Sequence, residues 1–106
     1  MFVGKVVGSV WTTIKWPQIE GLKLLTVQPY RVSDLAAPQE ARLPSTHELV
    51  VCADVLDAGV GDEVIVAYGH AARVALEQHL GPGDETRFPI DAAVVGVVDN
   101  MRVDSE

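Results

Sequence analysis

Few side chains in this sequence stand at the spacings that chemistry requires. The histidines are His47, His70 and His79, and no two share a metal-ligand spacing. His70 and His79 are nine residues apart, so on a helix turning about 100° per residue they face different directions. The single cysteine, Cys52, lies in the apolar run ELVVCAD with no neighbouring base to lower its pKa. That setting predicts a small buried hydrophobe rather than a nucleophile. One cysteine also excludes a disulfide framework, or a cysteine-based zinc site built within one chain. Ser9, Ser33, Ser45 and Ser105 lack the sharp-turn context of an activated serine. Asp54, Asp57, Asp62 and Glu63 gather around a turn and invite a calcium reading. The run lacks the alternating oxygen ligands of a calcium loop, which leaves an acidic turn. The expectation is no catalytic residue, no metal and no cofactor.

The segment Asp57 to Asp62, DAGVGD, holds the most informative glycines. A phosphate cradle would be followed by a lysine and a helix start. Here Asp62 and Glu63 follow, and their charge repels phosphate. Gly59 and Gly61 are instead expected to permit positive φ in a tight strand-to-strand turn, or close packing against another subunit.

The elements that carry these residues are mostly strands. Valine supplies 18 of the 106 residues, and its stiff, β-branched side chain packs well on a pleated face. Phe2 to Ile14 reads as one long strand with Phe2, Gly4, Val6, Gly8 and Val10 on its apolar row. Gly4 and Gly8 within it suggest bends or close backbone approach, as coiled strands of a small barrel need. Leu22 to Gln28, Glu48 to Asp54, Glu63 to Tyr68 and Val94 to Val98 read as four more strands, with Pro29 and Gly69 ending two of them. Tyr30 to His47, interrupted by Pro38 and Pro44, reads as a long excursion with at most a turn of helix. Ala71, Ala72, Val74, Ala75, Leu76 and Leu80 recur at spacings of three and four, predicting a short amphipathic helix from His70 to His79 stopped by Gly81-Pro82-Gly83. A loop is expected from Gly83 to Pro89. Five strands with one short helix before the last predict an all-β, OB-like barrel, partly open, of Greek-key kind. Such a barrel has strand edges that a partner must cover or charge must blunt.

A chain of 106 residues and 11.4 kDa makes one domain, and 48% hydrophobic residues is ordinary for a globular one. No apolar run reaches the ~18 residues of a membrane span. The opening Met1-Phe2-Val3-Gly4-Lys5 runs straight into patterned sequence rather than a leader, so a soluble cytoplasmic protein is expected. The net charge of −7 argues against nucleic acid, whose binders need Lys and Arg to displace counterions. An OB-like module that binds nucleic acid or a small ligand is the alternative, but Trp11, Trp16 and Tyr30 lie among few bases. The charge is uneven. Residues 1–53 carry five bases and four acids, net +1, whereas residues 54–106 carry three bases and eleven acids, net −8. One half of a copy is therefore suited to attract the other half of a neighbour.

Five pieces then fall in a familiar order: VGKVVGSVWTTIK, GLKLLTVQP, ADVLDAGVGDEVIV, GHAAR and PIDAAVVGVVD. Together they resemble the bacterial microcompartment vertex proteins, the EutN/CcmL family of ethanolamine-utilisation and carboxysome pentamers. The resemblance covers residues 1–99, leaving 100–106 as a polar tail. The family's turn usually begins with glycine where this chain has Asp57, and usually carries small hydroxyl residues where it has His70-Ala71.

The resemblance implies a non-enzymatic role. A β-barrel closes with its copies into a ring, usually of five, that caps a vertex of a polyhedral shell in the bacterial cytoplasm. Hexameric shell proteins tile the rest, and five-fold units let a flat sheet of hexagons curve shut. Such a ring joins two different faces of each copy. Matched position by position, Asp54, Asp57, Ala58, Gly59, Gly61, Gly69, His70 and Arg73 are the expected subunit-contact or axial residues. Arg73 is expected to pair across the contact with an acid such as Asp54.

Overall fold

The computed structural model describes residues 1–12, 22–80 and 90–101. Its elements are β1 (Phe2–Val10), β2 (Lys23–Pro29), a four-residue helix α1 (Val32–Leu35), a single 3-10 turn (Gln39–Ala41), β3 (Val50–Asp54), β4 (Glu63–Tyr68), α2 (Gly69–Leu80) and β5 (Ala92–Val97). The strands close into a barrel in the order β1-β2-β3-β5-β4. All neighbours run antiparallel except β3 and β5, which are parallel and paired only through Ala53 and Ala93. The sequence predicts a partly open barrel; this single pair closes it.

Alternation turns Val6 of β1 inward, with Phe2 packed on the same core, but the bulge between Val6 and Gly8 reverses it, so Val10 pairs with Leu24 on the outer face. Val6 joins Leu25, Val27, Cys52, Ala58, Val64, Val66, Ala92 and Val94 in the barrel interior. Gly4 is fitted to its place, because a Cβ there would lie 2.6 Å from both the Gln28 carbonyl oxygen and Val27 Cγ1. A Cβ at Gly8 would lie 2.9 Å from Thr26 Oγ1, beside a bulge in the β1–β2 ladder between Val6 and Gly8. The expected close backbone approach is thus present at Gly4, whereas Gly8 makes room for a side-chain hydroxyl at a bulge.

A second, smaller core lies outside the wall. Ala72 and Leu76 of α2 pack on Ala53 and Ala93, with Leu22, Leu24, Val55 and Ile90 around them. Small alanines on both sides let the helix lie close over the β3–β5 seam, where the ladder is thinnest. Gly69 breaks β4 as expected: its φ of +60° is in the left-handed region, and its N–H donates to the Asp91 carbonyl at 2.6 Å.

Some boundaries differ from the sequence reading. β1 ends at Val10, whose partner Leu24 is the last in that ladder, so Trp11 and Thr12 leave the sheet. Ile14 and the glycine-proline stop after α2 lie outside the described residues, as do the loop from 83 to 89 and most of the tail. β3 starts at Val50 rather than Glu48, opposite Val27, and beyond that Pro29 has no N–H to offer a ladder. β5 starts two residues early, at Ala92.

Candidate functional site

The turn between β3 and β4 is built around Asp54. Its carboxylate accepts the N–H of Leu56 at 3.0 Å and of Ala58 at 2.8 Å, and stands 3.6 Å from Lys23 Nζ. Lys23 also donates to the Ala58 carbonyl at 2.5 Å and to Asp57 Oδ1 at 3.3 Å. Asp62 accepts the N–H of Gly59 at 2.9 Å, closing the turn on itself. Gly61 donates to Val6 at 2.8 Å and Val6 donates to Asp62 at 2.9 Å, which ties the turn to β1.

This geometry corrects two expectations. The Asp54 side chain is 0% exposed, while that of Asp57 is fully exposed. Ala58 is also buried. The turn therefore presents Asp57, Gly59, Val60 and Gly61 outward, and Asp54 and Ala58 are its internal frame. The positive φ values fall at Asp57 (61°) and Gly61 (95°), not at Gly59. A left-handed φ explains why glycine suits the first position; Asp is among the few other residues that tolerate it. A Cβ on Gly59 would meet nothing in its own chain closer than Asp62 Oδ2 at 4.0 Å. The close approach expected at Gly59 is therefore absent within this chain.

Gly69, His70 and Arg73 open α2 at the other end of β4, with His70 exposed and Arg73 half-buried. The fold thus places the two expected segments at opposite ends of a six-residue strand, roughly 17 Å apart at about 3.3 Å per residue.

A cluster that the sequence reading missed lies on the outer side of β1 and β4. The excursion 30–47 forms a strap there, held by Glu63 at the start of β4. Glu63 accepts two hydrogen bonds from Arg42 Nη1, both 2.9 Å, one from the Tyr30 hydroxyl at 2.7 Å and one from Gln39 Nε2 at 3.0 Å. The Arg42 and Glu63 side chains are 4% and 6% exposed. The Arg42 guanidinium lies 5.9 Å from the Tyr30 ring centroid, within cation–π range. Burial, then the hydrogen bond to Glu63 and its negative charge, push the Tyr30 phenol well above its ordinary pKa. Lys5 donates to the Arg42 carbonyl at 3.3 Å, and Gln39 reaches the Asp99 carbonyl at 3.2 Å. Asp34 pins the strap to itself by accepting the N–H of Ser45 at 2.9 Å and of Arg31 at 2.8 Å. Those two backbone bonds, Ser45 foremost, hold its carboxyl below the usual carboxylate range. Glu63, grouped in sequence with a possible calcium turn, is thus an internal anchor.

The remaining candidates carry no constellation. Cys52 is fully buried inside the barrel, and burial above all pushes its thiol up to about 12. Among the described residues no three His, Cys, Asp or Glu side chains are placed to hold a metal. No helix among them is long and apolar enough to cross a membrane.

A closed five-stranded barrel whose charged clusters fix its own turn and strap is a structural domain in its architecture. The comparison with known proteins gives the family. The family described as ethanolamine utilisation protein EutN/carboxysome matches residues 1–99, and the chain belongs to it. It is 38% identical over 105 residues to the carboxysome shell vertex protein CcmL of Synechocystis sp., covering 99% of this chain and 89% of that one. It is 38% identical over 101 residues to the bacterial microcompartment shell vertex protein PduN of Salmonella typhimurium, covering 95% and 98%. The solved GrpN pentameric microcompartment shell protein from Rhodospirillum rubrum superposes with a TM-score of 0.70 at 32% identity, covering 99% of this chain and all of that one.

Proposed function

We propose that this chain is a structural vertex component of a bacterial microcompartment shell in the cytoplasm, acting as a closed ring of five copies and catalysing nothing. The observation that carries the reading is end-to-end likeness to a pentameric shell protein, at an identity that extends beyond shared fold. A five-fold ring among six-fold tiles removes one wedge from a flat hexagonal sheet, which forces the sheet to bend and close. The partners are therefore other copies of this chain and hexameric shell proteins.

The turn Asp57 to Gly61 and the segment Gly69 to Arg73 serve as subunit-contact or axial surface. In a head-to-tail ring each contact joins two different faces. An acidic turn at one end of β4 and a basic helix start at the other supply such a pair. Since Asp54 is consumed within its own turn, Asp57 is the acid that meets Arg73 of the next copy. Nucleic-acid binding draws no support from the Tyr30 ring, which sits over Arg42 with its hydroxyl spent on Glu63.

Co-assembly tests the reading. A hexameric shell protein mixed with this protein should give closed polyhedral particles by electron microscopy, and flat sheets or tubes without it. Indistinguishable products would contradict it. Gly59→Val tests the contact surface, because a Cβ has room within the folded chain. It should leave the circular dichroism spectrum unchanged and abolish the ring in size-exclusion chromatography; an intact ring would remove Gly59 from the contact.

A further inference from the structure

The ladders that close the barrel are unequal. β3 and β5 share one paired position, Ala53 with Ala93, whereas every other neighbouring pair of strands shares four or more. In the closed order β1-β2-β3-β5-β4, parting that single pair leaves all other ladders intact and yields an open sheet, β3-β2-β1-β4-β5. Opening at any other place breaks at least four pairs. The seam is also poor in apolar area. Of the four residues buried over it, Ala53, Ala72 and Ala93 are alanines and the fourth is Leu76. Hydrophobic stabilisation scales with the apolar area removed from water, and an alanine removes little.

α2 therefore covers the weakest join of the barrel, and Leu76 supplies most of the area it buries there, inside a rim of partly buried Leu22, Leu24, Val55 and Ile90. At the start of the helix, Gly69 takes the left-handed φ of +60° that glycine adopts freely. Its N–H donates to the carbonyl of Asp91, the residue before β5, so the helix begins at a pivot tied to the strand it covers. Just inside the seam stands Cys52, fully buried and next to Ala53 in β3. The Ala53–Ala93 register sets it level with Ala92, which shares the barrel interior with it. Burial, and after it the charge of Asp91, raise its pKa, so the thiol lies against the start of β5.

We propose that α2 is a latch on the β3–β5 seam, with Leu76 as its catch and Gly69 as its pivot, and that the native barrel opens there without unfolding. Local openings cost less than global unfolding, and they occur where few buried contacts hold an element. When the latch lifts, Cys52 meets solvent and the facing edges of β3 and β5 lose their cover, while the ladders of β1 with β2 and β4 stay formed. Unpaired edges are templates for another strand, so the latch also guards the barrel against strand exchange. It is a property of one chain and does not depend on the assembly proposed above.

Cys52 is the only cysteine, so its labelling by N-ethylmaleimide reports the opening. The rate is measured against urea at one fixed protomer concentration, beside circular dichroism for global unfolding. At low urea the wild-type rate should hardly change, because parting one seam exposes little surface, and it should join the steep global line only at higher urea. Leu76→Ala should speed low-urea labelling by at least about thirtyfold, the effect of truncating a buried leucine. Gly4→Ala, on the strand opposite the seam, should lower the urea midpoint yet leave low-urea labelling within about twofold. Hydrogen exchange gives the location: α2, too short to persist off the barrel, should exchange ahead of the β1–β2 ladder. Labelling that follows the global line from the lowest urea overturns the latch, as does acceleration by Gly4→Ala in step with its lost stability, or exchange of β1–β2 before α2. Should Leu76→Ala fail to fold, Ala72→Gly weakens the same helix and should raise the low-urea rate about fivefold; an unchanged rate overturns the proposal.

Discussion

Replacing Glu63 should cost this domain a large share of its stability, although the residue is neither apolar nor near the barrel interior. Its carboxylate receives four hydrogen bonds, two of them from a guanidinium that is itself buried. Glu63→Gln removes the negative charge and leaves Arg42 with an uncompensated positive charge out of water. Breaking a buried pair by removing one partner costs about 3–5 kcal/mol, and the amide, which keeps part of the hydrogen bonding, places this variant near the lower end. For a domain near 100 residues, about 3 kcal/mol lowers Tm by at least about 12 °C. Against a total stability of about 5–15 kcal/mol this is a substantial fraction. The assay is urea unfolding followed by circular dichroism at one fixed protomer concentration, because ring formation makes apparent stability concentration-dependent. A double-mutant cycle with Arg42→Met and Glu63→Leu isolates the pair. The double variant should be markedly more stable than the two single costs sum to, since the apolar replacement leaves no orphaned charge. A Glu63→Gln cost below about 1 kcal/mol, the range of an exposed pair, or strictly additive single costs, would refute the claim that the strap hangs on this buried charge.

Further outcomes follow from other positions. Gly4→Ala should destabilise the fold by about 1–3 kcal/mol in the same unfolding assay, because its Cβ would collide with Gln28 and Val27; a neutral effect would contradict the packing. Asp57→Gly should raise stability by up to about 1 kcal/mol by relieving a left-handed φ, since the exposed Lys23 pair it gives up is worth little; a loss of stability would assign that pair a greater role. Cys52 should react with iodoacetamide at pH 8 far more slowly in the native protein than in urea, and equal rates would place it at the surface. Its raised folded pKa also sets a sign. The native state retains the thiol proton that the unfolded chain releases near pH 8.5, so this contribution is complete below that pH. It is lost as pH rises towards about 12, which a stability profile against pH will show.

The barrel was legible because each strand half-faces an interior and so writes its alternation into the sequence. β4 is read to the residue, Glu63 to Tyr68, between an acidic turn and a glycine that must take positive φ. β1 is read too long because alternation continues past Val10 while its ladder partner, β2, begins at Lys23. A pattern records which way side chains point, not where the neighbouring strand runs out. The strap cluster was invisible for a different reason. Arg42 and Glu63 are 21 residues apart in segments of unlike character, and no periodicity connects them. Asp54 and Asp57 show the same limit over three residues: both are acids of one turn, yet the backbone path buries the first and exposes the second. The family resemblance singled out the two segments proposed for the contact. Only the fold shows which of their residues reach the surface.

The central claim is that identical barrels of this chain join front to back into a closed five-membered ring. Native mass spectrometry of the wild-type protein at micromolar concentration tests it most directly. The account predicts one dominant species of five times 11.4 kDa, with class averages of five-fold symmetry in electron microscopy. A stable species of 11.4 kDa, or a ring of another number, would contradict it.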